Sequence, residues 1–442
     1  MKTEKLMDYI GQIDDNIILE ADTHAIDHRS IRRLWIRRGS VMAAAILIAA
    51  ITLTITRKVP SDFSGLPQLP VNTESGAMGF EGLLAYEISE LQNGNPWTEN
   101  NDLATMPVFT NPNEYDGAGV PINGLSAEEM LLEAENIADL FGLEISALYT
   151  EPTLEQIERI QRKLESVQAS EEELRQSTDV CQATAACNGA EIEVQKDGQI
   201  FLTLTPDTAG LVKEIDKLSI YDNFTVSFEC GNIAMGDTLQ SMGLPLPDGY
   251  SFSFQNTSNE QALETTRYLF SEYGAFTGIT TPGYDLSADY TFSGVLTRLR
   301  TFVFENAGSL RERILNYHFN RLSFSATDSG GLGRISYSKT DLSQKIGDYP
   351  IITAREARKL LMENHYITTV PEALPGEEYI ARVELMYRTG RWDSVFMPYY
   401  LFLVEMPTME QENGLKTFGA FYVPAVQGKF LENMPLWDGS FQ

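Results

Sequence analysis

The chain has 442 residues, 43% hydrophobic and 21% charged, and its 33 Lys and Arg against 62 Asp and Glu give a formal net charge of −29. A chain this long and this apolar can bury more than one packed core, which excludes wholesale disorder, and 33 Gly with 19 Pro exclude collagen-like and Pro/Gly-rich low-complexity classes. Phosphate neutralisation needs clustered Lys and Arg, so nucleic acid is not an expected partner.

Residues 1–38 hold seven basic and seven acidic side chains. Leu6, Ile10, Ile13, Ile17 and Ala21 recur at helical spacing. A segment this short has no core of its own, so the stripe must bury itself against a partner, the membrane surface or a second copy. Leu6, Ile10, Ile13 and Ile17 are therefore candidate partner contacts. His24-x3-His28 could set two imidazoles on one helical face, but two ligands do not complete a tetrahedral site. No metal and no other cofactor is expected.

From Gly39 to Thr56 the chain reads GSVMAAAILIAAITLTIT, eighteen positions without a charge. Spanning a bilayer takes roughly 17–25 residues, so 39–56 is predicted to be a short transmembrane helix. Five arginines from Arg29 to Arg38 precede it, against Arg57 and Lys58 after it. The positive-inside rule then places the N-terminus in the cytoplasm and residues 59–442 outside a cell membrane crossed once. That exported part carries 24 basic and 55 acidic groups, read as a solvated surface. Cys181, Cys187 and Cys230 are too few for a disulfide framework: at most one bridge can form, with Cys181 and Cys187 closing a short loop, and free, mostly buried thiols are the expectation.

Residues 57–125 are rich in Pro, Asn and Gly and read as a stalk, with one helix around 80–91. Trp97, Phe109 and Tyr115 are too apolar for a free linker, so its second half is expected to wrap against the body. Ser126-Ala-Glu-Glu129 is a capping box that opens an apolar pattern at Met130, Ala134, Ile137, Ala138 and Phe141, with Gly142 after it. A second helix is expected at 153–167. Ile192 and Val194 lead through Asp197-Gly198, a hairpin dipeptide, into a strand over 200–204.

The cap signal returns at Thr257-Ser-Asn-Glu260, before Ala262, Leu263, Thr266, Leu269 and Phe270. A strand run over 290–304 and alternation at Leu315, Tyr317 and Phe319 follow. Thr353-Ala-Arg-Glu356 opens the third pattern. Beyond it come alternation from Ala381 to Tyr387, a continuously apolar run over 397–405, and another strand at 418–423. The expected fold class is α+β: one transmembrane helix, then an exported body of three helix-then-antiparallel-strand units at 126–256, 257–352 and 353–442.

Chemistry is sparse. His318 and His365 read as surface residues, His318 on the outward phase of a strand. Ser336-Tyr-Ser-Lys339 has the S-x-x-K spacing of penicillin-recognising serine enzymes but lacks their partner motifs. No nucleophile and base pair emerges, so no catalytic residue is assigned and no enzyme is expected. A cell-wall hydrolase using paired carboxylates is the competing class, and an exported binding or structural protein without signalling output is another. Aromatic residues crowd the C-terminal part, and Trp392, Tyr399, Tyr400 and Tyr422 are candidate contacts for a peptide or an envelope protein. Tyr399 and Tyr400 face opposite sides of their strand, which would allow one to be presented with its hydroxyl.

The N-terminal run Lys5-Leu-Met-Asp-Tyr-Ile-Gly-Gln-Ile-Asp-Asp15, with the Arg/Trp-rich stretch and the single span, resembles single-pass proteins of clostridia and related Gram-positive bacteria that are anti-sigma-factor-like. The exported units are similar in layout to PepSY-like modules and to the Yyc two-component regulatory proteins. Gly347-Asp-Tyr-Pro-Ile-Ile-Thr353, Met397-Pro-Tyr-Tyr-Leu-Phe402 and Tyr422-Val-Pro-Ala-Val426 look like an uncharacterised clostridial family. The resemblance implies an extracytoplasmic sensor or regulatory protein acting by protein–protein contact, with a sigma factor or a histidine kinase held through residues 1–38.

Overall fold

Ser126 and Glu129 satisfy each other's backbone amides at the start of the first helix, α1 (Ala127–Phe141), and Gly142 ends it at φ 67 in the left-handed region. The computed structural model describes residues 63–73, 82–115, 121–150, 182–229, 232–235, 238–241, 243–253, 257–327 and 329–439. The predicted span at 39–56, the helix at 153–167 and the contacts Leu6, Ile10, Ile13 and Ile17 all lie outside these residues. Among the described residues no helix is long and apolar enough to cross a membrane. Residues 65–442 make one compact unit.

That unit is mostly β, which corrects the expected α+β repeat. Its largest element is a nine-stranded sheet. In spatial order the strands are Pro282–Tyr290, Leu296–Glu305, Asn320–Ala326, Leu332–Lys339, Asn223–Phe228, Ile200–Leu204, Ala190–Gln195, Gln182–Cys187 and Ile145–Tyr149. Every pairing is antiparallel except that of Ile200–Leu204 with Asn223–Phe228, which is parallel. A parallel pair needs a crossover, and the 3-10 stretch Ala209–Ile220 supplies it. Strands expected in two separate units therefore share one ladder. Joining them removes two open edges whose unpaired N–H and C=O groups would otherwise face water or another chain.

α1 covers the Gln182–Cys187 and Ala190–Gln195 strands with Met130, Ala134, Ile137 and Phe141, all buried beside Ile192, Val194 and Leu202. The second helix, α2 (Asn259–Tyr273), lies over Pro282–Tyr290 and Leu296–Glu305. Its capping box uses Ser258 and Gln261, one residue past the expected Thr257 and Glu260. Thr257 is instead spent on the preceding turn, where its hydroxyl accepts from the Ser253 amide at 2.7 Å.

A five-stranded sheet forms the second layer, with Gly82–Ala85, Lys416–Pro424, Pro398–Glu405 and Ile380–Tyr387 in order and Ile367–Thr368 also paired to Lys416–Pro424. Gly82–Ala85 was expected to be helical. It is an edge strand, because Gly82 to Ala85 pair with Gly419 to Lys416. Pro398–Glu405 is central and buried on both faces, as its unbroken apolar run requires. The helix α4 (Ala354–Met362) packs on this sheet, capped by Thr353 and Glu356. A three-stranded sheet of Lys345–Pro350, Thr105–Thr110 and Val395–Phe396 completes the body.

Between them in chain order runs α3 (Leu310–Phe319), where alternation at Leu315, Tyr317 and Phe319 had indicated a strand. A fourth capping box, Ser309 with Glu312, starts it, and the strand begins only at Asn320. Ile314 and Phe319 turn into the second core with Trp97, Tyr387 and Phe402. Trp97 meets Tyr400 edge-on, with ring centroids 5.5 Å apart.

Candidate functional site

Three chain segments converge at one end of the sheets. Asn111, at the end of the Thr105–Thr110 strand, is buried and donates its side-chain amide to the Asp393 carbonyl at 2.8 Å, while its own N–H reaches the Ser394 carbonyl at 3.0 Å. This pins the loop 388–394, which Gly390 tightens by donating its N–H to the Asp393 carboxylate at 2.9 Å. Trp392 is thereby held half-buried at the loop's tip. Across from it, Tyr115 follows the Asn111 turn, in which the Asn113 amide donates to Asn111 Oδ1 at 3.0 Å.

Tyr115 and Trp392 meet edge to face, with centroids 6.5 Å apart and planes at 89°. Arg391 lies over the Tyr115 ring at 5.7 Å. Such contacts add about 0.5–1.5 kcal/mol each beyond area burial, and they bias the three side chains toward one arrangement. Below them open two adjoining clefts of about 630 and 380 Å³ that share Asn111, Asn113, Tyr115 and Arg391. The smaller is closed on its far side by the Asp197-Gly198 hairpin turn and by the ends of the strands that carry Asn223 and Lys339.

The electrostatics are mixed and mildly acidic. Glu114, Asp197, Asp222, Asp341 and Asp393 line the clefts against Lys339 and Arg391. Lys339 is paired with Asp222 at 3.1 Å, which raises its affinity for a proton. Burial, with a lesser contribution from Asp197, pushes the Tyr115 hydroxyl above its ordinary pKa. Burial likewise raises the Asp393 carboxyl, and the Arg388 guanidinium opposes it. Among the described residues, neither the Arg391 guanidinium nor the Trp392 indole N–H has a hydrogen-bond acceptor.

Of the residues singled out from sequence, Trp392 belongs to this site. Tyr399 and Tyr400 are both buried, at 2% and 3% exposure, so neither presents its hydroxyl to solvent. The Tyr400 hydroxyl donates to the Ile352 carbonyl at 2.8 Å, and Arg388 lies between the rings of Tyr399 and Tyr422 at 5.5 Å from each. Tyr115 was expected only to wrap against the body, Asn111 and Arg391 were not singled out, and no motif joins residues so far apart in the chain.

Ser336 and Lys339 lie on the Leu332–Lys339 strand, where a spacing of three residues sends them to opposite faces. Ser336 instead accepts from the Thr225 hydroxyl at 3.0 Å. His365 is half-buried with Nδ1 at 2.9 Å from the Pro435 carbonyl. His318, read from sequence as a surface residue, has its Nε2 buried without a partner. Cys187 carries a free thiol.

No family model and no curated protein matches the chain. Among solved structures it is similar to the crystal structure of an uncharacterized protein from Eubacterium rectale, at 10% identity over 74% of this chain and 85% of that one, with a TM-score of 0.23.

Proposed function

We propose that the chain is a membrane-anchored extracytoplasmic regulatory protein whose body engages a partner polypeptide through the cleft beneath Tyr115 and Trp392. The observation that carries this reading is the rim itself. Trp, Tyr and Arg are the residue types that dominate binding energy at interfaces, and here all three meet at one rim, with a guanidinium and an indole N–H that no described residue accepts from. A backbone carbonyl is the natural acceptor for both donors. The five carboxylates against two basic groups favour a neutral or basic segment. Occupancy is relayed to residues 1–38, whose apolar stripe holds a sigma factor or a histidine kinase on the cytoplasmic side.

The test is site-specific photo-crosslinking in intact cells, with the full chain carrying benzoylphenylalanine at position 392 and, in a control, at exposed position 132 on α1. One extracytoplasmic adduct formed from 392 alone, and lost when Arg391→Glu is added, supports the reading. An adduct pattern identical from 392 and 132, or no adduct from 392, overturns it.

A further inference from the structure

A separate cavity, of about 180 Å³ and half open, lies between the five-stranded sheet and the C-terminal end of α3, where the strand Asn320–Ala326 begins. Strands of the five-stranded sheet supply an apolar wall of Leu83, Met386, Leu401 and Leu403, and the opposite side carries Arg321 and His318. Cavities at the junction of two layers are common places for small ligands.

The polar groups around it are unequally spent. Glu384 is satisfied by Arg382 at 3.2 Å, and Arg382 itself donates to the carbonyls of Ile88 and Gln92. Asp285 accepts from the Tyr317 hydroxyl at 2.7 Å and from two backbone amides. Arg321 is different. Its guanidinium lies over the rings of Phe302 and Tyr317 at 4.7 and 5.4 Å and makes no hydrogen bond or ion pair with any described residue. A guanidinium has five N–H donors, and with no described residue accepting from them they are open to the acceptors of a ligand that enters the cavity. His318 Nε2 is buried at the same cavity, also without a partner.

We infer that this cavity binds a short-chain aliphatic carboxylate, its two oxygens on the Arg321 guanidinium and its hydrocarbon tail against Leu83, Met386, Leu401 and Leu403. Arg matches a carboxylate in a two-point geometry, which fixes the head group. The wall fixes the tail, and transfer of each methylene from water to such a wall tightens binding by about fourfold until the cavity is full. This site is separate from the Tyr115 and Trp392 cleft and does not depend on that cleft having a partner.

The experiment is titration calorimetry on the full chain in nanodiscs, with empty nanodiscs subtracted, using acetate, butanoate and hexanoate, and hexan-1-ol as the uncharged control. Affinity should rise along the acid series, and hexanoate should bind at least tenfold more tightly than hexan-1-ol. Arg321→Met should weaken hexanoate at least tenfold and leave hexan-1-ol unchanged. Because Arg321 is packed over Phe302 and Tyr317, Leu83→Glu is the second variant. Leu83 is 40% exposed at the mouth, where a carboxylate is tolerated by the fold but repels the ligand. Undetectable hexanoate binding at millimolar concentration, or hexanoate affinity unchanged by Leu83→Glu, overturns the inference.

Discussion

The Tyr317 hydroxyl donates to the Asp285 carboxylate across 2.7 Å, with both residues nearly sealed from solvent at 4% and 3% exposure. Tyr317 comes from α3 and Asp285 from the edge strand of the nine-stranded sheet, and Gln92 adds its amide to the same hydroxyl at 2.9 Å. The bond therefore ties together a helix, a sheet edge and the segment that leaves the Gly82–Ala85 strand of the five-stranded sheet.

Tyr317→Phe should destabilise the body by about 1–3 kcal/mol, because it keeps the ring's packing but leaves a buried carboxylate short of one donor. Denaturant unfolding of the two proteins measures this. The backbone donors from Asn93 and Leu286 remain, so the loss should fall short of that from Asp285→Ala, which strands the Tyr317 hydroxyl and both amides.

Gly94 sits against the same carboxylate, and a Cβ placed there would lie 2.4 Å from Asp285 Cγ. Neither a flexible side-chain end nor open space receives it. Gly94→Ala should therefore cost about 1–3 kcal/mol, the usual range for overpacking a filled site. Gly65→Ala is the control, since a Cβ there meets nothing within 4 Å. Equal stability of the two variants would refute the close-approach argument.

Stability should also carry the signature of His318. Burial, reinforced by the Arg321 charge, lowers its pKa from 6.5 to about 3, so the folded chain keeps it neutral. The unfolded chain takes up a proton below pH 6.5 and the folded one does not, so this stabilisation is present above pH 6.5 and is lost as pH falls toward 3. The slope approaches about 1.4 kcal/mol per pH unit within that window. His318→Gln removes the titration. Unfolding curves between pH 7 and 4 should converge for the two proteins as pH falls, whereas parallel pH profiles would contradict the assignment.

The elements that could be read along the chain were those with local causes. Ser126 with Glu129 and Thr353 with Glu356 are pairs three residues apart, and their hydrogen bonds need nothing else from the fold. The nine-stranded sheet has no such local cause. Its continuity rests on the parallel register of Ile200–Leu204 with Asn223–Phe228, reached through a 3-10 crossover that shows no alternation. At α3 the local signal misled, because Leu315, Tyr317 and Phe319 alternate by chance in a helix whose buried positions are Ile314, Tyr317 and Phe319. One wrong period turned His318 outward on paper and hid the cavity it faces. The Tyr115 and Trp392 cleft was half legible: Trp392 stood out by residue type, but Asn111 fixes it through a contact 282 positions away.

The transmembrane topology is the prediction with the widest consequence, since it decides which compartment meets the cleft. Orientation in single-span chains follows Lys and Arg close to the span, and acidic residues count for little, so the charge of −29 on the whole chain is not what decides it. The deciding comparison is five arginines between Arg29 and Arg38 against Arg57 and Lys58. Protease added to intact protoplasts should therefore digest the body and leave a short N-terminal fragment that contains the span. Replacing Arg32, Arg33, Arg37 and Arg38 by Ala leaves Arg29 alone against Arg57 and Lys58, and a measurable share of the chains should then insert with the body inside and protected. Full protection of the unaltered protein would place the cleft in the cytoplasm and remove the extracytoplasmic reading altogether.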